Sequence, residues 1–181
     1  MRKPTPEEIQ HAQGKTVPDV IAQGLCILFV GINPGLYTAA VGHHFARPGN
    51  RFWPTLYAAG ITPRVLAPEE EQELLTYGCG ITNIVDRATA TAAELSPAEL
   101  REGARQLAEK IRPYAPRVLA VLGISAYRAA FEQPKAILGL QDERIGMTEI
   151  WVLPNPSGLN AHYQRDDLAN HYRAMREYAM S

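Results

Sequence analysis

Asn33 and the loop from His43 to Trp53 hold the residue types in this chain that could do chemistry. Asn33 lies in Gly31-Ile32-Asn33-Pro34-Gly35, directly after an uncharged apolar run from Leu25 to Val30. A carboxamide at that point can orient a water or a ligand, but it cannot take a proton. The stretch His43-His44-Phe45-Ala46-Arg47-Pro48-Gly49-Asn50-Arg51-Phe52-Trp53 brings imidazoles, guanidiniums and aromatic rings together with no acid. A second asparagine, Asn155, stands in Pro154-Asn155-Pro156-Ser157-Gly158-Leu159, again just after an apolar run. Placed amides followed by a basic aromatic loop read as a site rather than as scaffold.

The elements that must position these groups follow from pattern. The run ending at Gly31 has strand length and no charge, which suits a strand of a parallel sheet covered on both faces. Pro34 cannot donate to a ladder, and Gly31 and Gly35 permit turns, so the strand stops at Asn33. Asn50 can cap a helix that carries Phe52, Trp53, Leu56 and Tyr57 and ends at Gly60. Pro68 to Tyr77 offers a short helix with acids in its first turn. A second strand covers Cys79 to Val85 and runs out into Asp86-Arg87-Ala88-Thr89. Ser96-Pro97-Ala98-Glu99 is a strong helix start, with Ser at the cap, Pro in the first position and Glu three residues on. That helix stops before Pro113. A third strand spans Arg117 to Gly123, and a helix follows through Tyr127 and Phe131. Residues 133 to 147 read as irregular. A last strand runs from Thr148 to Leu153, and a final helix starts at Asp166.

Alternating strands and helices predict an α/β fold: a three-layer α/β/α sandwich around a central, mostly parallel sheet of four or five strands. One domain covers residues 1–181, with 1–18 peripheral. In a parallel sheet the loops at Asn33 and Asn155 leave at the same edge and can face one cleft, where open α/β sheets bind ligands.

Composition bounds the function. The chain has 181 residues, 46% hydrophobic and 20% charged, with a net charge of -1, so no global basic field announces nucleic acid. Binding to DNA must then use local patches. Two cysteines, Cys26 and Cys79, are too few for a disulfide framework and read as reduced core residues of a cytoplasmic protein. No His/Cys cluster has ligand spacing, so no metal site is expected. No apolar run approaches 20 residues, so no membrane span is expected.

Three motifs, taken together and in order, carry a resemblance. Gly31-Ile32-Asn33-Pro34-Gly35-Leu36, then Phe45-Ala46-x-Pro48-x-Asn50-Arg51-Phe52-Trp53, then Asn155-Pro156-Ser157-Gly158-Leu159 resemble the mismatch-specific uracil-DNA glycosylases. That family also contains the thymine-DNA glycosylases and belongs to the uracil-DNA glycosylase superfamily. The resemblance runs from about Leu25 to the C-terminal helix. It implies a monofunctional glycosylase that flips uracil from G:U-type mismatches in double-stranded DNA and leaves an abasic site for base excision repair. It implies a monomer that needs no metal and no organic cofactor.

The resemblance also implies roles for residues. Asn33 would position the water that attacks C1′ of the deoxyribose. Phe45 would stack on the flipped base, and backbone groups around Ile32 and Phe45 would bond its edge, with Asn155 in the same base pocket. Leu159 would wedge into the gap, while Ser157 and Gly158 contact the widowed guanine. Gly35 stands where the most selective uracil glycosylases carry a tyrosine that blocks a 5-methyl group. Arg47, Arg51 and Arg165 are phosphate candidates. The sequence departs from the bacterial pattern at Asn83, where lysine is usual, at Ala161, where arginine is usual, and at His43-His44, which read as solvated loop residues.

These residue types suit the chemistry. A base inside a duplex must be extruded before it can be attacked, at a cost of a few kcal/mol, and a mispaired base costs less. An apolar wedge and an aromatic platform offset that cost. Fixed backbone donors can stabilise the leaving anion. Asn33 is a weak substitute for a carboxylate, so turnover should be slow. Asp86, after the second strand, could approach the Asn33 loop and serve as general base, an effect worth about 10² to 10⁴ in rate. The competing expectation for Asp86 is a local pair with Arg87 or a cap on the loop backbone. Two other functions also fit parts of the pattern. A nucleotide-binding α/β enzyme could use the Gly31 to Gly35 loop for phosphates, although no P-loop ending and no GxGxxG helix start are present. A DNA-binding module could have lost its chemistry.

Overall fold

A computed structural model describes residues 1–181. Five strands form its one sheet: β1 (Ile27–Gly31), β2 (Cys79–Asn83), β3 (Val118–Leu122), β4 (Gly139–Ile145) and β5 (Thr148–Leu153). Their order is β2-β1-β3-β5-β4. The first four strands in that order run parallel and β4 is antiparallel to β5. Six α-helices accompany them: α1 (Pro6–Gln10), α2 (Leu36–Val41), α3 (Phe52–Ala58), α4 (Pro97–Ile111), α5 (Ile124–Ala130) and α6 (Arg165–Ala179). None is long and apolar enough to cross a membrane.

The three layers follow from the pleat. Ile27 and Phe29 of β1 point to one face, where they join Phe52 and Leu56 of α3 and Tyr172 and Met175 of α6. Leu28 and Val30 point to the other, against Leu107 and Ile111 of α4 and Tyr127 of α5. Both faces of the sheet are therefore covered, and β1, β2 and β3 are buried at every residue. Full burial of one such side chain contributes roughly 1.5–3 kcal/mol. These two cores hold the sheet, since exposed ion pairs add little.

The chain leaves β1 toward β2 on one side, and β3 lies on the other. That divergence opens a crevice beyond the carboxyl ends of the strands. Register keeps those ends level: Gly31 pairs with Asn83, and Val121 pairs with Val30 and Val152. The loops at Asn33, Asp86, Gly123 and Asn155 thus leave from one edge.

Several elements differ from the sequence expectation. Residues 139–145, expected to be irregular, form β4. It is an edge strand with alternating half-buried and exposed residues, so its polar Gln-Asp-Glu-Arg run carries no apolar signature. The short helix α2 was not anticipated; Gly35 starts it and Gly42, in the left-handed region at φ 77°, ends it. Pro68–Tyr77 is a 3-10 helix. Asn50 acts one residue early: its Oδ1 accepts from Phe52 N at 2.9 Å, while Arg51 is the N-cap of α3. Ser96 caps α4 as expected, accepting from Glu99 N at 3.1 Å. The Glu99 side chain does not close a capping box but turns to Arg87.

The N-terminal segment is woven into the fold from Ala12 onward. Gly14 N donates to Ala88 O and Ala88 N to Lys15 O. Val20 bridges Ile81 of β2. Ala12 and Val17 pack with Ala39 and Ala88 in a small separate core.

Candidate active site

A cavity of about 180 Å³ opens at the carboxyl edge of the sheet. Asn33 and Gly35 line it from the β1 exit, Asn83 from the end of β2, Thr89 from the loop after it, and Asn155 and Ser157 from the β5 exit. The two asparagine loops singled out by sequence therefore meet in one cleft.

Asn33 is held in one orientation. Its Nδ2 donates to Arg87 O at 3.0 Å and to Thr89 Oγ1 at 2.8 Å. Both amide hydrogens are thereby used, and Oδ1 is left as the free acceptor of the side chain. Thr89 is 1% exposed and donates its own hydroxyl to Thr91 O at 2.8 Å. Its backbone N donates to Pro34 O, so the two loops are also tied main chain to main chain. Arg87, which supplies the carbonyl, is fixed by a two-pronged pair with Glu99 of α4. The guanidinium holds the Glu99 carboxyl below the usual carboxylate range, and Glu99 raises Arg87 in turn. Thr89 was missed in the sequence, where it is one of two threonines in Thr89-Ala90-Thr91.

Phe45 forms a platform beside this amide. Its ring stacks on Phe52 with centroids 4.0 Å apart and lines the cavity. Its backbone sits at φ 52°, a region that costs a bulky residue about 1–3 kcal/mol. The surrounding bonds hold it there. His44 N donates to Glu71 Oε2 at 2.8 Å, Trp53 Nε1 donates to His44 O at 3.1 Å, and Ala46 N donates to Thr38 Oγ1 at 3.2 Å.

The two histidines are not free loop residues. His44 is 2% exposed, lines the cavity, and donates from Nε2 to Pro18 O at 2.8 Å. His43 Nδ1 lies 2.9 Å from the other oxygen of the buried Glu71 carboxylate. Sequence could not show that a glutamate about thirty residues on would fold under this loop. Gly31 is required by its neighbours: a Cβ there would lie 2.6 Å from Asn83 Oδ1 and 3.4 Å from the Phe45 ring. Asn83 is 6% exposed and presents its carboxamide at the cavity. By contrast, a Cβ on Gly35 would meet nothing within 4 Å, so the cavity is open on that side.

The far wall is the loop from Asn155 to Tyr163. Asn155 Oδ1 accepts from Ser157 N at 2.9 Å, and Asn160 Nδ2 donates to Asn155 O at 3.1 Å. Asn155 thus shapes its own loop while lining the cavity. Gly158 touches the facing loop, where a Cβ would come 2.5 Å from Gly49 O. Leu159 stands 77% exposed at the tip. Ala161 is exposed beside it.

Other candidates fall elsewhere. Asp86 does not line the cavity. Its exposed carboxylate lies 3.5 Å from Lys110 Nζ, which is held at 2.8 Å by Asp19. Half-burial alone would lower the Lys110 ammonium, but Asp19 and Asp86 outweigh it and raise it. An ammonium is therefore present near Asp86, supplied by α4 rather than by position 83. Neither sequence expectation for Asp86 describes this: its partner is Lys110, while Arg87 belongs to Glu99. Arg51, a phosphate candidate, is committed to the protein. Its guanidinium donates to the carbonyls of Tyr163, Ser157 and Asn160. Arg47 is exposed at the cavity rim, and Arg165 is exposed at the start of α6.

Comparison with known proteins adds a family. The sequence profile described as the uracil DNA glycosylase superfamily matches residues 18–179. A solution NMR structure from Methanosarcina acetivorans, named as a candidate uracil DNA glycosylase, superposes with a TM-score of 0.59. It is 19% identical and covers 90% of this chain and 98% of its own, a likeness of fold.

Proposed function

The chain belongs to the uracil DNA glycosylase superfamily, and from that premise we propose that it is a monofunctional glycosylase acting on mispaired uracil in duplex DNA. Its product is an abasic site, the substrate of base excision repair. The uracil nucleotide leaves the stack and enters the cavity at the strand ends. Phe45 stacks on the base, and Leu159 fills the gap it leaves. Asn33 Oδ1 accepts a hydrogen bond from the attacking water and aims its oxygen at C1′. The water oxygen bonds to C1′ as the N-glycosidic bond breaks. The bonding electron pair leaves with uracil, and the water's proton passes to solvent.

The observation that carries this reading is the commitment of both Asn33 amide hydrogens to Arg87 O and Thr89 Oγ1. That arrangement leaves an oriented acceptor in a cavity with an aromatic platform, which supports water positioning rather than phosphate binding. A carboxamide cannot take the proton, so the acceleration rests on positioning and on stabilisation of the departing anion. The open space at Gly35 favours tolerance of 5-substituted pyrimidines over strict uracil selectivity. Ser157 and Gly158, next to the exposed Leu159, face the partner strand and the widowed guanine. Arg47 and Arg165 meet phosphates, and the protein acts as a monomer.

The test is base release from G:U, A:U and G:T duplexes and from single-stranded uracil. Release fastest from G:U with slow turnover is expected. Binding of DNA without release from any substrate would leave a binding module and end the glycosylase reading. Nucleotide hydrolysis without DNA would favour a phosphate-handling enzyme instead.

A further inference from the structure

Arg51 is a cation whose partners carry no negative charge. Its Nη2 donates to Ser157 O at 2.8 Å and to Asn160 O at 2.9 Å, and its Nη1 donates to Tyr163 O. Its backbone N donates to Pro156 O at 3.0 Å. Its Nε is buried without a partner. Beneath the same loop, Tyr172 donates from its hydroxyl to Pro154 O at 3.2 Å. One residue of the platform loop therefore grips four carbonyls of the opposite loop, at positions 156, 157, 160 and 163.

Partly burying a guanidinium among carbonyls, with one N–H unpaired, is a poor way to gain stability, and an apolar side chain of the same length would fold at lower cost. The fork does what an apolar residue or an ammonium cannot. Its two Nη atoms reach carbonyls spread over seven residues of loop, and the planar head fixes their relative positions. Between those anchor points sits Leu159, its side chain exposed and its backbone N making only a local bond to Ser157 Oγ at 3.3 Å. A wedge can push into a base stack only if its base does not yield, and ordering the loop before binding removes that entropy cost from the DNA complex.

We propose that Arg51 is the positioning residue of the wedge loop: it presets residues 156–163 in the DNA-free protein so that Leu159 can drive nucleotide extrusion. This rests on the glycosylase reading above and adds a division of labour to it. Arg51 serves extrusion from the duplex and not bond cleavage.

The test uses Arg51→Lys, which keeps the charge and loses the fork, and Arg51→Met, which loses both. Single-turnover uracil release is measured on G:U duplex and on single-stranded uracil DNA, with amide hydrogen exchange of the free protein alongside. On duplex, both variants should lose about tenfold or more, as displaced positioning groups do. On single strands the loss should stay below about threefold, and exchange should quicken at 157–163 while the sheet stays protected. Equal losses on both substrates, or Lys restoring duplex activity, would overturn the proposal, as would unchanged exchange in that loop. If wild-type protein releases no uracil from either substrate, the glycosylase reading fails, and with it the extrusion role; hydrogen exchange then still decides whether Arg51 anchors the loop.

Discussion

The two walls of the cavity are built to different standards. The Asn33 wall is tied from several independent directions. Thr89 and Arg87 O hold the amide, Glu99 holds Arg87, Pro34 O receives Thr89 N, and the N-terminal segment clamps Ala88 through two backbone bonds. Thr89 and Ala88 are almost wholly buried. The opposite wall has one tertiary hydrogen-bonding anchor on its outer turn, Arg51. Its other hydrogen bonds there are short-range ones among Asn155, Ser157 and Asn160, beside packing of Gly158 on Gly49 and of Tyr163 on the core. Its tip is 77% exposed. The difference fits the two tasks proposed above. A group that aims a water loses its effect with small displacements, whereas a wedge must be stiff at its base but free at its end. Redundant bonds suit the first, and one wide fork suits the second.

The largest effect should come from the well-tied wall. Asn33→Ala should leave DNA binding nearly intact and lower single-turnover excision by about a hundredfold or more, as loss of a positioning group in the reacting geometry does. Wild-type excision by that variant would remove Asn33 from the mechanism. The smallest effect should come from a charge that sits near this wall yet belongs to neither. Asp86→Asn breaks a contact to Lys110 that Asp19 already satisfies. It should leave G:U excision within about twofold of wild type from about pH 5 to 9, since no general base is removed. A pH-dependent loss with retained binding would bring Asp86 back as a base and show that the wall moves when DNA binds.

Much of the scaffold was legible because burial on both faces writes itself into sequence. The uncharged runs at Ile27–Val30 and Val118–Leu122 suited strands buried on both faces, and Ser96-Pro97 marked the start of α4. The strand β4 was not legible because an edge strand with one wet face reads like a loop. Within the site, Asn33 and Asn155 stood out as polar residues directly after apolar strands, while Phe45 and Leu159 were picked out through the family resemblance of their motifs. What escaped was pairing between distant residues. Nothing local to His44 points to Glu71 or Pro18, and nothing local to Thr89 points to Asn33. Arg51 was visible only as a charge. Sequence does not tell an arginine that faces phosphate from one whose fork is spent on carbonyls. The N-terminal segment likewise looked loose because its ties are backbone bonds, which no side chain advertises.

The most direct test of the central claim, that Asn33 acts as a water acceptor oriented by the loop behind it, is a double-variant cycle with Thr89. Thr89→Val removes the hydroxyl that accepts from Asn33 Nδ2 and keeps the shape, and should lower single-turnover G:U excision about tenfold, with Thr89→Ser close to wild type. In the Asn33→Ala background the same Thr89→Val change should alter the rate by less than about twofold, because there is no longer an amide to orient. A full tenfold loss in that background would show that Thr89 acts independently of Asn33 and would contradict the account.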